Sequence, residues 1–153
     1  MKAIIGFTFF LLFLAGIMFA TMLDKQPAPN GLENDLASLA GITWHPVAVG
    51  DDVLSEDSGL TIMFGVSGEI SGHGGCNGFR GSIERSDAGL VVGPLASTRM
   101  ACPNEIMDRE NAFFEALQRV KRLQGDKLKL LMMDENGGVL LVLTAGVQTE
   151  TEN

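Results

Sequence analysis

Residues 127–144, KLKLLMMDENGGVLLVLT, are the stretch that most directly predicts the fold of this chain. Two apolar runs, 127–133 and 139–144, flank the polar segment DENGG. The pair Asn136-Gly137 between apolar runs is a strong hairpin signal, because both residues tolerate the positive φ angles of a tight turn. The C-terminal part of the chain is therefore predicted to be two antiparallel strands.

Directly upstream, residues 104–122 have a helical rather than a strand period. Their apolar stripe consists of Ile106, Phe113, Leu117 and Val120. Asn104 is predicted to cap the first turn, and Gly125 is predicted to stop the helix. The acidic residues of this helix are expected on its solvated face.

Further upstream, short apolar runs separated by glycine-rich turns predict five more strands, at residues 41–49, 60–64, 69–72, 77–85 and 90–95. Pro46 in the first run indicates an edge position or a β-bulge. The predicted fold class is α+β and mainly antiparallel β. It is a curved sheet or partly closed barrel of about seven to eight strands with one helix packed on it.

An N-terminal hydrophobic helix is predicted to precede this domain. Residues 3–23, AIIGFTFFLLFLAGIMFATML, contain no charge and would span about 31 Å as a helix, close to the thickness of a membrane core. Lys2 precedes the run and acidic residues follow it, so the rest of the chain is expected to be exported. The run is long and its cleavage sites are poor, which favours an uncleaved signal anchor over a cleaved signal peptide.

The predicted organisation has four parts. Residues 1–23 are the signal anchor or signal peptide, 24–37 a linker, 38–146 the folded domain and 147–153 a flexible tail. The net charge of −8 argues against nucleic acid as a partner, because nucleic-acid binding needs a basic face. The inner membrane, reached through residues 3–23, is the one partner that the sequence identifies.

Cys76 and Cys102 are the two cysteines of the chain. In a small exported domain, two thiols most often form a disulfide, and two separate buried thiols are the alternative. No nucleophile and base are suitably spaced, and His45, His73 and the cysteines lack the close pairs of a zinc site. No catalytic, cofactor-binding or metal-binding residue is therefore predicted. Arg99 is either a buried, hydrogen-bonded residue or a binding contact.

Taken together, these segments resemble the META/HslJ-like domain family. The resemblance rests on GITW (41–44), SGHGGCNGFRGSIE (71–84), GPLASTRMACP (93–103) and an E-x-x-F pattern at 110–113. The matching motif residues are Trp44, Gly75, Asn77, Phe79, Gly81, Thr98, Arg99, Met100 and Pro103, and Cys76 and Cys102 fall on the two motif cysteines.

This resemblance implies an antiparallel, barrel-like fold with a helix. It also implies a bacterial envelope protein with no enzymatic activity or cofactor, and for some members a link to heat or antibiotic stress. The lipid-acceptor cysteine of the founding members is missing here, so a plain membrane anchor, or a soluble periplasmic form, is expected in its place.

The expected function is therefore a non-enzymatic envelope domain for stress-related binding or envelope maintenance, anchored in the inner membrane with the domain in the periplasm. One alternative is a barrel that holds a small apolar ligand in an interior lined by Trp44, Met63 and Phe64. Another is an inhibitor that presents an exposed loop at residues 71–75 to an envelope enzyme.

Overall fold

Ten β-strands and one α-helix make up the part of the chain that the computed structural model describes, residues 36–146. The strands are β1 (Thr43–Val49), β2 (Asp52–Val53), β3 (Leu60–Phe64), β4 (Glu69–Gly74), β5 (Gly78–Ser86), β6 (Gly89–Val92), β7 (Ala96–Ser97), β8 (Arg122–Gly125), β9 (Lys129–Met133) and β10 (Val139–Ala145). The α-helix, α1 (Asn104–Arg119), lies between β7 and β8, and short 3-10 helices occupy Leu36–Leu39 and Glu56–Ser58.

The strands form one antiparallel sheet with the order β6-β5-β4-β3-β1-β10-β9-β8. The two-residue strands β2 and β7 pair with β1 and β5, outside this path. The two ends of the sheet meet where the Leu90 N–H donates to the Lys121 carbonyl oxygen, at 2.9 Å. The sheet is therefore a nearly closed barrel of eight strands, and the predicted α+β, mainly antiparallel class is confirmed.

The C-terminal hairpin forms as predicted, with Val139 of β10 opposite Met133 of β9. The Asp134 carboxylate shapes its turn by accepting the N–H groups of Asn136 at 2.9 Å and Gly138 at 2.8 Å. Gly137 has a φ of 87°, the left-handed conformation for which glycine is suited. The predicted bulge is also present, since the β1–β10 register shifts between Pro46 and Ala48.

The ends of the helix differ from the prediction. Pro103 is the N-cap, and no side chain, including that of Asn104, caps the first turn. The helix stops at Arg119, and residues 122–125 form β8 instead of a last helical turn. The reason is pairing: the Lys121 N–H donates to the Met133 carbonyl oxygen at 2.8 Å, which draws the chain into the sheet. Sheet pairing overrides the helical period that extends through Val120.

The core lies inside the barrel and under the helix. Alternate residues of the strands point inward, so that Leu60, Ile62 and Phe64 of β3 are buried while Met63 is exposed. Helix α1 contacts β1, β4, β6 and β10. Its Phe113 and Leu117 are fully buried against this interior.

The predicted N-terminal hydrophobic helix, the linker up to residue 35 and the tail at 147–153 lie outside the described residues. Within residues 36–146, no helix combines the length and apolar character that a membrane crossing requires.

Candidate functional site

A disulfide joins the turn between β4 and β5 to the start of α1. The sulfurs of Cys76 and Cys102 are bonded at 2.08 Å, and their Cα atoms are 6.0 Å apart. Cys76 follows two glycines, and Gly75 has a φ of 104°. The predicted pairing is therefore present, and it fixes a sharp, glycine-rich turn beside the helix.

Glu110 of α1 is the polar centre of this junction, and only 3% of its surface is exposed. Its Oε2 atom accepts the backbone N–H groups of Cys76 at 3.1 Å and Asn77 at 2.6 Å. Its Oε1 atom accepts a hydrogen bond from Asn77 Nδ2 at 2.6 Å. A β-carbon at Gly74 would lie 2.7 Å from Oε2, so the carboxylate can reach the turn because that residue is glycine.

Asn77 extends the network to the segment before the helix. Its Oδ1 atom accepts hydrogen bonds from Thr98 Oγ1 at 2.9 Å and from the Met100 N–H at 2.7 Å. The Thr98 N–H donates in turn to the Gly78 carbonyl oxygen at 3.0 Å. The two cysteine-containing motifs, far apart in sequence, are thus held together by Asn77 as well as by the disulfide.

The other motif residues lie at separate positions. Trp44 is fully buried in β1, and its Nε1 atom has no hydrogen-bond partner within residues 36–146. Phe79 packs edge-on against Phe113 and Phe114, with ring centroids at 5.8 and 5.4 Å. At Gly81, a β-carbon would lie 2.7 Å from a methyl group of Leu95.

Arg99 is exposed, which excludes the first of the two roles considered for it, that of a buried residue. Its neighbour Met100 keeps 56% of its surface exposed although its backbone joins the Asn77 network. Pro103 accepts the first helical hydrogen bonds through its carbonyl oxygen, from Ile106 at 3.0 Å and Met107 at 3.1 Å.

The expectation that the helical acidic residues are solvated is wrong for Glu110. The sequence did contain a signal, because Glu110 precedes the core residue Phe113 by three positions and so shares its helix face. A carboxylate on that face has to find donors, and the turn at 76–77 supplies them.

This junction is suited to holding segments together rather than to catalysis. Both cysteine sulfurs are in the disulfide, and three N–H groups already occupy the Glu110 carboxylate. Within residues 36–146, no three His, Cys, Asp or Glu side chains are grouped closely enough to hold a metal ion.

Next to the junction, the outside of the sheet carries a groove with a volume of about 590 Å³. We call it the outer-face groove, and it is bounded by Thr61 of β3, Ser71 and His73 of β4, Arg80 of β5, and Ala96 and Ser97 of β7. Thr98, which bonds Asn77, also lines it. The groove was not predicted, because its residues come together only through the registers of four strands.

A second, smaller depression of about 310 Å³ lies between the end of α1 and the β9–β10 turn. Two of its charges pair with each other, since Arg119 Nη2 lies 3.8 Å from Asp134 Oδ2. The outer-face groove is therefore the stronger candidate for binding a ligand.

Comparison with known proteins agrees with this architecture. A family model described as META domain matches residues 37–146. An NMR structure of a protein from Burkholderia xenovorans superposes with a TM-score of 0.58 at 26% sequence identity, covering 82% of this chain and 96% of that one.

A crystal structure of a DUF4847 family protein from Bacteroides vulgatus ATCC 8482 has a TM-score of 0.54 at 17% identity, covering 73% of this chain and 96% of that chain. At that identity it shows a shared fold alone. A comparison with curated proteins gave no match.

Proposed function

This chain belongs to the META domain family, and we propose that it is a non-enzymatic binding domain of the bacterial cell envelope. Residues 3–23 anchor it in the inner membrane, and the domain faces the periplasm. Its role is stress-related binding or maintenance of the envelope. If the leader is cleaved, the same domain works as a soluble periplasmic protein.

The disulfide is the observation that carries this proposal. Cys76 and Cys102 are bonded, and disulfides persist in oxidising compartments such as the periplasm but are rare in the cytoplasm. The uncharged run at residues 3–23 provides a route to that compartment. The two observations are independent and support the same location.

Binding is favoured over catalysis because the polar motif residues form hydrogen bonds with each other. Glu110, Asn77 and Thr98 use their side chains to connect the turn, the helix and the preceding segment. Such a junction stiffens the surface next to it, and a rigid scaffold is what a binding site requires.

The two alternative binding modes have weaker support. An apolar ligand would need interior space, yet Trp44 and Phe64 belong to the packed core, and Met63 is 43% exposed on the outside. The inhibitor alternative requires residues 71–75 to form an exposed loop. Most of that segment is strand β4, and Gly74 is buried. The outer-face groove remains as the place where a partner would bind.

Location and oxidation state can be tested together in a bacterial host. Full-length chain is expected in the membrane fraction after alkaline carbonate extraction, with no thiol that alkylates before reduction. A variant lacking residues 3–23 is the control and should be cytoplasmic, with two reactive thiols. Full-length chain with two free thiols would overturn the envelope assignment. A mature chain beginning near residue 21 would replace the anchor with a cleaved leader.

A partner can be sought with a photo-crosslinking residue at Ser97, which bounds the outer-face groove. The same residue at Lys127, in the exposed turn between β8 and β9, is the matched control. We expect products at Ser97 only, and a change in their amount after heat stress. Identical products at both positions, or none at either, would count against a binding role for this face.

A further inference from the structure

The shape of the outer-face groove follows from strand alternation and small residues. Thr61, Ser71, His73 and Arg80 point outward because the residues between them face the core. Gly78 opposite His73 and Ala96 opposite Arg80 carry little or no side chain, which leaves a depression. Its volume, about 590 Å³, lies within the range of roughly 300–1,000 Å³ that is usual for small-molecule sites.

Arg80 supplies an uncommitted cation to this groove. Its guanidinium has no hydrogen bond and no ion pair in the part of the chain that the structure describes. Arg80 stands opposite Ser71 in the sheet, and its two diagonal neighbours are therefore His73 and Glu69. Diagonal positions on paired strands are about 7–8 Å apart, so one small group can be reached by both Arg80 and His73.

His73 is oriented so that it presents a donor. Its Nδ1 atom accepts the Gly75 N–H at 3.2 Å, which leaves Nε2 as the ring nitrogen that carries the proton. The Thr61 hydroxyl oxygen fixes the same residue by accepting its backbone N–H at 3.1 Å. Because Gly75 lies next to Cys76, the disulfide-linked turn holds this imidazole in place.

The charge of the groove is opposite to that of the molecule. Its lining includes the cation of Arg80 but no aspartate or glutamate, although the chain has a net charge of −8. The next carboxylate along the same face, Glu69, accepts the Ser67 N–H at 3.2 Å. The His73 Nε2–H and the hydroxyl groups of Ser71 and Ser97 add neutral donors beside Arg80.

We propose that the outer-face groove binds a small molecule that carries a carboxylate or phosphate next to an apolar group. Arg80 and His73 hold the oxyanion, and the exposed side chain of Met63 contacts the apolar part. The net negative charge of the chain disfavours an extended polyanion such as nucleic acid or an anionic membrane surface. This inference rests on the proposed binding function and names the chemical class of its ligand.

Phenyl phosphate is a suitable probe because it combines the two groups. The full-length chain in an uncharged detergent is titrated with it at 150 mM NaCl, and backbone amide shifts are recorded by NMR. Benzyl alcohol, which has the ring without the charge, and inorganic phosphate, which has the charge without the ring, separate the two contributions. We expect saturable shifts at Ser71, His73, Arg80 and Ser97 with phenyl phosphate.

Arg80→Gln should weaken phenyl phosphate binding at least about tenfold, because a charged hydrogen bond is lost. Lys127→Gln removes the same charge away from the groove and should leave the affinity unchanged. Ala96→Leu keeps every charge but fills the groove, and should also weaken phenyl phosphate binding. Unshifted amides outside the groove show that each variant is folded.

Equal affinities for Arg80→Gln and Lys127→Gln, or shifts scattered over the surface, would overturn the proposal. So would an equal response to benzyl alcohol. The envelope assignment and the proposed ligand class can each be rejected without rejecting the other. A cytoplasmic, reduced chain that still binds phenyl phosphate through Arg80 keeps the ligand class and rejects the envelope assignment. An anchored, oxidised chain that does not bind the probe keeps the envelope assignment and rejects the ligand class.

Discussion

Glu110 is a single residue on which three segments of the chain depend. Removing a carboxylate from water is costly unless donors replace the water, and here two backbone N–H groups and an amide do so. Those donors would themselves be buried without partners if the carboxylate were absent. The residue and the turn at 76–77 therefore stabilise each other.

Glu110→Ala should lower the free energy of unfolding by at least about 3 kcal/mol, since three buried donors lose their acceptor at about 1–3 kcal/mol each. Glu110→Gln keeps the size and one acceptor oxygen, and should cost less. Urea unfolding measures both changes. Glu115→Ala, on the exposed side of the same helix, should stay within about 0.5 kcal/mol. Equal effects at Glu110 and Glu115 would contradict the role of the network.

Asp126 gives the fold a local dependence on pH. Its pKa lies below the ordinary value of 3.8 because the backbone N–H groups of Lys129 and Leu128 donate to the carboxylate. Because the pKa is lower in the folded state, the carboxylate adds stability at pH values above the ordinary pKa of 3.8. This added stability is lost as the pH falls through the pKa of the folded state. Asp126→Asn should therefore reduce the loss of stability on acidification.

Carboxyl NMR titration of Asp126, with urea unfolding from pH 5 down to pH 2.5, checks this expectation. Asp87→Asn, which removes the same charge at an exposed turn between β5 and β6, is the matched control for the change in net charge. A titration midpoint for Asp126 at or above 3.8 would be incompatible with the two backbone hydrogen bonds.

Single residues also show how far the sequence can predict the site. The pairing of Cys76 with Cys102 could be expected from composition and an exported leader. The burial of Glu110 could have been expected from its spacing to Phe113. The closeness of Arg80 to His73 could not, because it depends on the register between β4 and β5, which local patterns do not specify.

Helix α1 is connected to the sheet by three different means. The disulfide holds its start, Glu110 bonds the β4–β5 turn, and Phe113 and Phe114 pack on Phe79. Because the disulfide closes a loop across 26 positions, it restricts the unfolded chain considerably. The helix and this turn are expected to unfold together.

Replacing both cysteines by alanine should lower the free energy of unfolding by about 2–4 kcal/mol, the usual effect of a bridge across a loop of this length. Urea unfolding of the oxidised wild type, the reduced wild type and the double variant measures it. The reduced wild type and the double variant should have similar free energies of unfolding. A double variant as stable as the oxidised protein would show that the disulfide does not stabilise the fold.

The elements themselves were predictable where one local signal dominated. The β9–β10 hairpin and strand β3 follow from a turn signal and from apolar runs. Strand β8 was missed because the helical period of residues 104–122, whose stripe ends at Val120, overlaps the start of this strand. The long-range pairing of β8 with β9, which begins with the hydrogen bond from Lys121 to Met133, directs the chain into the sheet there.

At the scale of the whole molecule, the barrel has one weak seam. Between β6 and the segment leading into β8, the Leu90–Lys121 hydrogen bond joins the two ends of the sheet. The central strands β1 and β10 instead pair along most of their length. Partial opening of the barrel is therefore expected at this seam.

Hydrogen exchange followed by NMR can locate the opening. The Leu90 amide should exchange at least about tenfold faster than the paired amides of β10, because local opening costs less than global unfolding. The amides of β9 that pair with β10 are the internal reference. Protection of Leu90 equal to that of β10 would indicate that the barrel opens only when the whole domain unfolds.

The class of fold could be predicted from the sequence, but the closure could not. Short apolar runs and glycine-rich turns predict antiparallel strands with one helix. Which strands become neighbours depends on contacts between distant residues. The pairing of β1 with β10 and the meeting of β6 with Lys121 are of this kind.

That central pairing of β1 with β10 also affects the order of events during protein synthesis. Trp44 lies opposite Ala145, so β1 can pair with β3 early but has to wait for almost the entire domain before β10 exists. At about 5–20 residues per second, the ribosome needs roughly 5–20 s to make the roughly 100 residues between them. During that interval the growing chain cannot complete its sheet, because the strand that lies between β1 and β9 has not been made.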